Sequence, residues 1–125
     1  MRLLSRRRST EPETCVSGLL APAVAYLKEH CTEEVTNGEL ARKCSISEEY
    51  FRKLFRKTYG MPPRQYVIRM RINLAKQLLT EGKLTVSETA ERCGFSSSYH
   101  FSRLFREKTN ETPSAFMNRT RMHEL

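Results

Sequence analysis

Three groups of side chains in this sequence could do chemistry: the cysteines, the histidines, and a recurring set of arginines, lysines and hydroxyls. Cys15, Cys31, Cys44 and Cys93 form no C-x-x-C pair, so neither a redox dithiol nor a zinc-ligand spacing is present. His30 and Cys31 are chain neighbours and point to different faces of a helix, which makes them a poor metal pair. All 14 acids are glutamate, which removes Asp-centred triads and most Mg²⁺ sites. The sequence is therefore expected to hold no metal, no cofactor and no catalytic residue, and not to be an enzyme. His100 is read as a helix-face or turn-packing residue, not a catalytic one. Cys44 and Cys93 are read as core residues.

The third group has a different use. Glu49, Arg52, Lys53 and Arg56 share the polar face of one segment, and Ser98, Tyr99, His100, Ser102, Arg103 and Arg106 lie partly or wholly outward on another. An α-helix fits the major groove of DNA, and its early exposed residues reach base edges. Arg can donate two bonds to guanine, and Lys can bond the same acceptors. Arg56, Lys57, Arg106 and Lys108 come a turn later, where phosphates pass, and Ser102 is grouped with them. Backbone amides at Ser47 and Ser97 can cap phosphates at helix starts. A basic stripe alone is usually a solvated face. Its second occurrence, at matched positions after matched turns, favours an interface with double-stranded DNA.

The elements that must position these residues show as a repeat. "FRKLFRKTYGMPP" (51–63) returns as "FSRLFREKTNETP" (101–113), shifted by 50 residues. Phe51, Leu54, Phe55, Arg56 and Pro63 match Phe101, Leu104, Phe105, Arg106 and Pro113. Gly60 matches Asn110, and these two residue types best tolerate the left-handed conformation that ends a helix. Upstream, "LARKCSIS" (40–47) matches "TAERCGFS" (89–96) with a shift of 49, so the second copy carries one extra residue between its parts. Each copy reads as short helix, turn, longer helix. Asn37 is taken as the first N-cap, Ser47 as the next, then Ser87 or Thr85, and finally Ser97. Phe51, Leu54, Phe55 and Thr58 form the buried face of the first longer helix; Phe101, Leu104 and Phe105 form that of the second.

Further helices complete an all-α bundle. Residues 19–30 place Leu20, Val24 and Leu27 on one face. Residues 63–80 present a broad apolar surface and would join the two copies over roughly 27 Å. Residues 112–121 read as a short closing helix capped by Thr112, with Phe116 inward. The net charge of +8 includes Arg2, Arg6, Arg7 and Arg8, and the remainder is still basic, as suits an anionic partner. No apolar run reaches the length of a bilayer span, so no membrane partner is expected. Unpaired cysteines suit a cytoplasmic setting.

These residues resemble the AraC/XylS family of transcription regulators. The similarity runs from about residue 17 to 121 and is strongest in "AERCGFSSSYHFSRLFREKTNETPSAF" (90–116), through Ala90, Gly94, Phe95, Phe101, Phe105 and Pro113. "LARKCSISEEYFRKLFRKTYGMPPRQYV" and "RINLAKQLL" follow the same pattern. The resemblance implies an all-α, seven-helix domain of two tandem helix-turn-helix units with homeodomain-like subdomains. The units would span 17–61 and 82–121, joined by a linker helix at 62–81, with a flexible basic arm or interdomain linker at 1–16 and a tail at 122–125. It implies base contacts from Glu49, Arg52 and Lys53 in the first unit and from Ser98, Tyr99, His100 and Arg103 in the second. His100 stands where the family often has Tyr, and Asn110 where it usually has Gly. The family also implies promoter or operator DNA as partner, activation by contact with RNA polymerase, with repression equally compatible, and an effector acting through a domain absent from this chain. The chain is then either a fragment of a longer regulator or a stand-alone binder, and the fragment is the reading favoured. Two other readings stand beside it: a helical module that docks on protein, and the DNA-binding part of a repair methyltransferase, for which none of the four cysteines has a recognisable context.

Overall fold

The computed structural model describes residues 10–124, with side chains for 18–121. The segment 1–9 of the expected arm, the side chain of Cys15 and those of the tail 122–125 lie outside the described residues. Among the described residues there are seven helices and no strand: α1 (Thr10–His30), α2 (Asn37–Lys43), α3 (Glu48–Tyr59), α4 (Pro63–Glu81), α5 (Val86–Arg92), α6 (Ser98–Thr109) and α7 (Pro113–Glu124). Two of them are longer than the spacing predicted. α1 begins at Thr10, so the second half of the expected arm is helical backbone, and α7 runs on to Glu124.

The chain divides into two compact units. One takes α1 and Val35–Val67; the other takes Cys31–Glu34 and everything from Ile68 onward.

In the first unit α1, α2 and α3 pack on one another. Leu20, Ala23 and Leu27 of α1 are buried, as are Leu40 and Ala41 of α2 and Phe51, Leu54 and Phe55 of α3. Ala23, rather than Val24, completes the inward face of α1; Val24 is half-buried. Phe55 is the hub of an aromatic cluster, with ring centroids 5.6 Å from Phe51, 4.7 Å from Tyr59 and 5.3 Å from Tyr66. Tyr66 comes from the first turn of α4, so that turn belongs to this core.

In the second unit the core is Ile72, Ala75 and Leu79 of α4, Ala90 and Cys93 around α5, Phe95 of the turn, and Phe101 and Phe105 of α6. Phe116 of α7 is half-buried and meets Phe105 edge-on at 5.5 Å. Thr112 Oγ1 accepts from the Ala115 amide at 3.1 Å, which starts α7 where the sequence placed its cap.

The short helices α2 and α5 start alike. Thr36 Oγ1 accepts from the Glu39 amide, and the Glu39 carboxylate accepts from the Thr36 amide, both at 3.1 Å. Thr85 and Glu88 repeat this capping box at 2.9 and 3.1 Å. The first cap is therefore Thr36 and not Asn37. Thr36 has the glutamate three residues on that closes the box, and Asn37 has only Leu40. At the second copy Thr85 takes the role over Ser87 for the same reason. The two bonds Glu39 accepts from Thr36, backbone first, hold its carboxyl below the usual range.

Candidate nucleic-acid interface

Each unit builds the same device: a short helix, a tight turn and a longer exposed helix. The turn opens with a left-handed residue, Ser45 (φ 59°) in one copy and Gly94 (φ 88°) in the other. The amide two residues after the C-cap then reaches back into the short helix. Ile46 N donates to Ala41 O at 3.1 Å, and Phe95 N donates to Ala90 O at 3.0 Å. In the first copy Ser47 follows Ile46 directly as N-cap of α3; in the second, Ser96 intervenes before Ser97 caps α6. The one-residue difference between the copies thus lies at Ser96, inside the turn, where the shift from 49 to 50 located it.

The N-caps use their hydroxyls locally. Ser47 Oγ accepts from Tyr50 N at 3.2 Å, and Ser97 Oγ accepts from His100 N at 3.0 Å. Amides of the first turn remain for another acceptor. Beyond the caps, the faces divide. On α3, Phe51 and Phe55 are wholly buried, while Glu49, Arg52, Lys53, Arg56 and Lys57 are exposed. On α6, Phe101 and Phe105 are wholly buried, and Tyr99, Arg103, Arg106 and Lys108 are exposed. Ser98, His100 and Ser102 are half-buried at the edge of that face. Both helices end at a left-handed residue, Gly60 (φ 76°) and Asn110 (φ 67°), and each donates its amide back to an arginine carbonyl, Arg56 or Arg106, at 2.8 Å. The Gly-to-Asn exchange therefore conserves the conformation.

Several residues have local partners that shape the face. Glu49 and Lys53 form an exposed pair at 3.4 Å, one helical turn apart. Such pairs contribute about 0–1 kcal/mol and open easily toward a stronger partner. The His100 ring meets the edge of Phe95 at 6.2 Å, so it packs on the turn, as expected of it. Ser98 Oγ lies 3.3 Å from Ser87 Oγ of α5, a contact that ties the start of α6 to its supporting helix. Two residues of the expected inward face, Thr58 and Leu104, are only half-buried. Both lie where the helix face turns from core to solvent, and Thr58 Oγ1 is itself a buried hydroxyl without a partner.

Two residues escaped the sequence reading. Tyr50 occupies in α3 the place of His100 in α6, and half of its surface is exposed. Together with Tyr99, 79% exposed, it puts an aromatic ring at the outer start of each helix. Arg71 is the other. It lies in α4 three residues after Ile68 and four before Ala75, on the core side, and that placement was a legible sign of an inward role. Its guanidinium donates to the carbonyls of Cys31 at 2.5 Å, Gly94 at 3.1 Å and Glu33 at 3.0 Å, and lies over the Phe95 ring. One planar fork thus fixes the second turn against the Cys31–Glu34 segment.

The cysteines whose side chains are described lie in the core. Cys31, Cys44 and Cys93 are buried free thiols. Burial first, and then the neighbouring Cys31, push Cys93 up to about 11, so it is not a nucleophile near neutrality. No helix among the described residues is long and apolar enough to cross a membrane.

A paired turn-and-helix device, phenylalanines inside and basic residues outside, defines a tandem helix-turn-helix domain. A family model described as a helix-turn-helix domain matches residues 40–119. The chain is 36% identical over 111 residues to a Salmonella schwarzengrund protein described as the HTH-type transcriptional activator RhaS, covering 89% of this chain and 40% of that one. A Chromobacterium violaceum transcriptional regulator with an AraC-type DNA-binding domain superposes with a TM-score of 0.79 at 27% identity, over 86% of this chain and 96% of that one. The DNA-binding domain of AdpA, solved with a target DNA, gives 0.78 at 33% identity, over 83% and 94%. The chain belongs to the AraC-type helix-turn-helix family of transcription regulators and carries that family's DNA-binding domain. It spans 37% to 40% of the length of the curated relatives it matches.

Proposed function

We propose that the chain binds operator DNA by placing the first turns of α3 and α6 in two major grooves. Arg52 and Lys53, with Glu49, read bases in one groove; Arg103, with Ser98, Tyr99 and His100, reads them in the other. Arg56, Lys57, Ser102, Arg106 and Lys108 contact phosphates, together with the amides at Ser47 and Ser97. The observation that carries this reading is the duplicated division of faces: in both copies the phenylalanines are wholly buried and the basic residues exposed.

The exposed large apolar residues among those described are Leu19, Tyr50 and Tyr99, and the two tyrosines sit on the reading helices. This favours DNA over a protein-docking module, which needs a contiguous apolar patch. The relatives described as a transcriptional regulator and a transcriptional activator support control of transcription. On this reading the domain acts at a promoter in the bacterial cytoplasm, by activation through RNA polymerase or equally by repression, and does no chemistry of its own.

The test is positional. Arg52→Ala and Arg103→Ala should each relax base preference at one place, the two places about ten base pairs apart. Equal weakening on every duplex by both changes would leave phosphate contact alone and sink the base-reading assignment.

A further inference from the structure

One cation beside α3 is not accounted for by the reading face. Arg64, the second residue of α4, lines an open groove with Arg52, Lys53 and Arg56 of α3. Glu49 is the carboxylate lining the same groove, and it is matched to Lys53. Among the described residues no acid pairs with Arg52, Arg56 or Arg64, so three arginines without a carboxylate partner line one open groove. Like charges gathered this way repel until a polyanion neutralises them.

Folding gives no reason for Arg64. It lies in the first turn of α4, which contains no acid, and a cation there opposes the helix dipole. Its side chain is exposed, so it covers no core. The matching place in the second copy, one residue past Pro113, is Ser114. The charge is therefore particular to the first unit and not part of the repeated scaffold.

We propose that Arg64 is a phosphate-contacting residue that holds the DNA backbone at the edge of the groove entered by α3. The ligand is the phosphodiester backbone, read without regard to sequence. This rests on the DNA reading above and adds to it a contact from the helix that follows the reading helix, on one unit only. It makes the first unit the stronger electrostatic anchor.

The experiment measures binding of a random-sequence duplex between about 50 and 200 mM salt for the unaltered chain, Arg64→Ser (the residue the second copy carries) and Arg64→Lys. Loss of one neutralised phosphate lowers the log–log salt slope by about 0.9. The unaltered chain should then lose about three- to fourfold more affinity than Arg64→Ser across that range. The deficit of Arg64→Ser should be the same on unrelated sequences, and Arg64→Lys should restore the slope. A steep slope left unchanged by Arg64→Ser overturns this contact and spares the DNA reading, as does a deficit confined to one sequence. A flat slope for the unaltered chain overturns both.

Discussion

Ser45 and Gly94 occupy the same left-handed place in their two turns, yet only Gly94 has no room for a side chain. A β-carbon on Gly94 would lie 2.2 Å from the carbonyl oxygen of Thr32, whereas Ser45 is exposed. Gly94→Ala should therefore cost at least about 2 kcal/mol, from left-handed strain plus the clash with backbone. Ser45→Gly should be close to neutral, because relief of strain offsets the added freedom of the unfolded chain. Urea denaturation of the two variants checks this, and equal losses would contradict the account of the turn.

Arg71 predicts a local defect in the second unit. Arg71→Met keeps the apolar stem and removes all three carbonyl contacts. Leaving partly buried carbonyls unpaired costs about 1–3 kcal/mol. Hydrogen exchange should speed up in the turn around Gly94 and in Cys31–Glu34 before α2 and α3 respond. A uniform change across both units would contradict the assignment of that segment to the second.

Glu49 and Arg106 should separate reading from anchoring. Glu49→Ala removes a carboxylate that repels phosphates but can accept from cytosine, so affinity for random duplex should rise while discrimination at one base falls. Arg106→Ala should instead weaken all duplexes alike and lower the salt slope by about 1. Anisotropy titrations on matched and random duplexes distinguish the two patterns; a random-duplex affinity that falls in Glu49→Ala would remove it from the interface.

The Cys93 thiol sets a prediction in alkaline solution. Folding raises its pKa from 9.0 to about 11, because burial penalises the thiolate and Cys31 adds to the effect. The folded state thus binds this proton more tightly than the unfolded one. The stability so gained is complete below about pH 9 and is lost as pH rises toward about 11. The unaltered chain should therefore lose stability relative to Cys93→Ala over that window, measured by urea midpoints. Parallel curves would mean that the thiol is not shielded.

Much of this arrangement could be read from residue order, because a duplication supplies its own control. Phe51 with Phe101 and Phe55 with Phe105 gave the buried faces, and the change of shift between Ile46 and Phe51 and their counterparts placed the irregularity in a turn. Gly60 and Asn110 announced a shared backbone conformation despite different side chains. What escaped depended on contacts distant in sequence. Arg71 reaches carbonyls at Cys31 and Glu33, some 40 residues away, and no periodicity encodes that reach. The cap at Thr36 was missed by one residue because Asn and Thr cap comparably, and only the return bond from Glu39 decides between them. Arg64 was passed over because it follows Pro63 in a helix read for its apolar side.

Ser96 governs how parts of the two copies can be exchanged. Aligned on the supporting helices α2 and α5, Arg103 falls on Leu54, a buried core position; aligned on α3 and α6, it falls on exposed Lys53. A chimaera that transplants specificity by a single numbering rule would thus sink an arginine among phenylalanines, since one residue of slippage turns a helix by about 100°. Specificity can be moved between the units only by numbering from the Ser47 and Ser97 caps, or by carrying each turn across whole with its own helix pair.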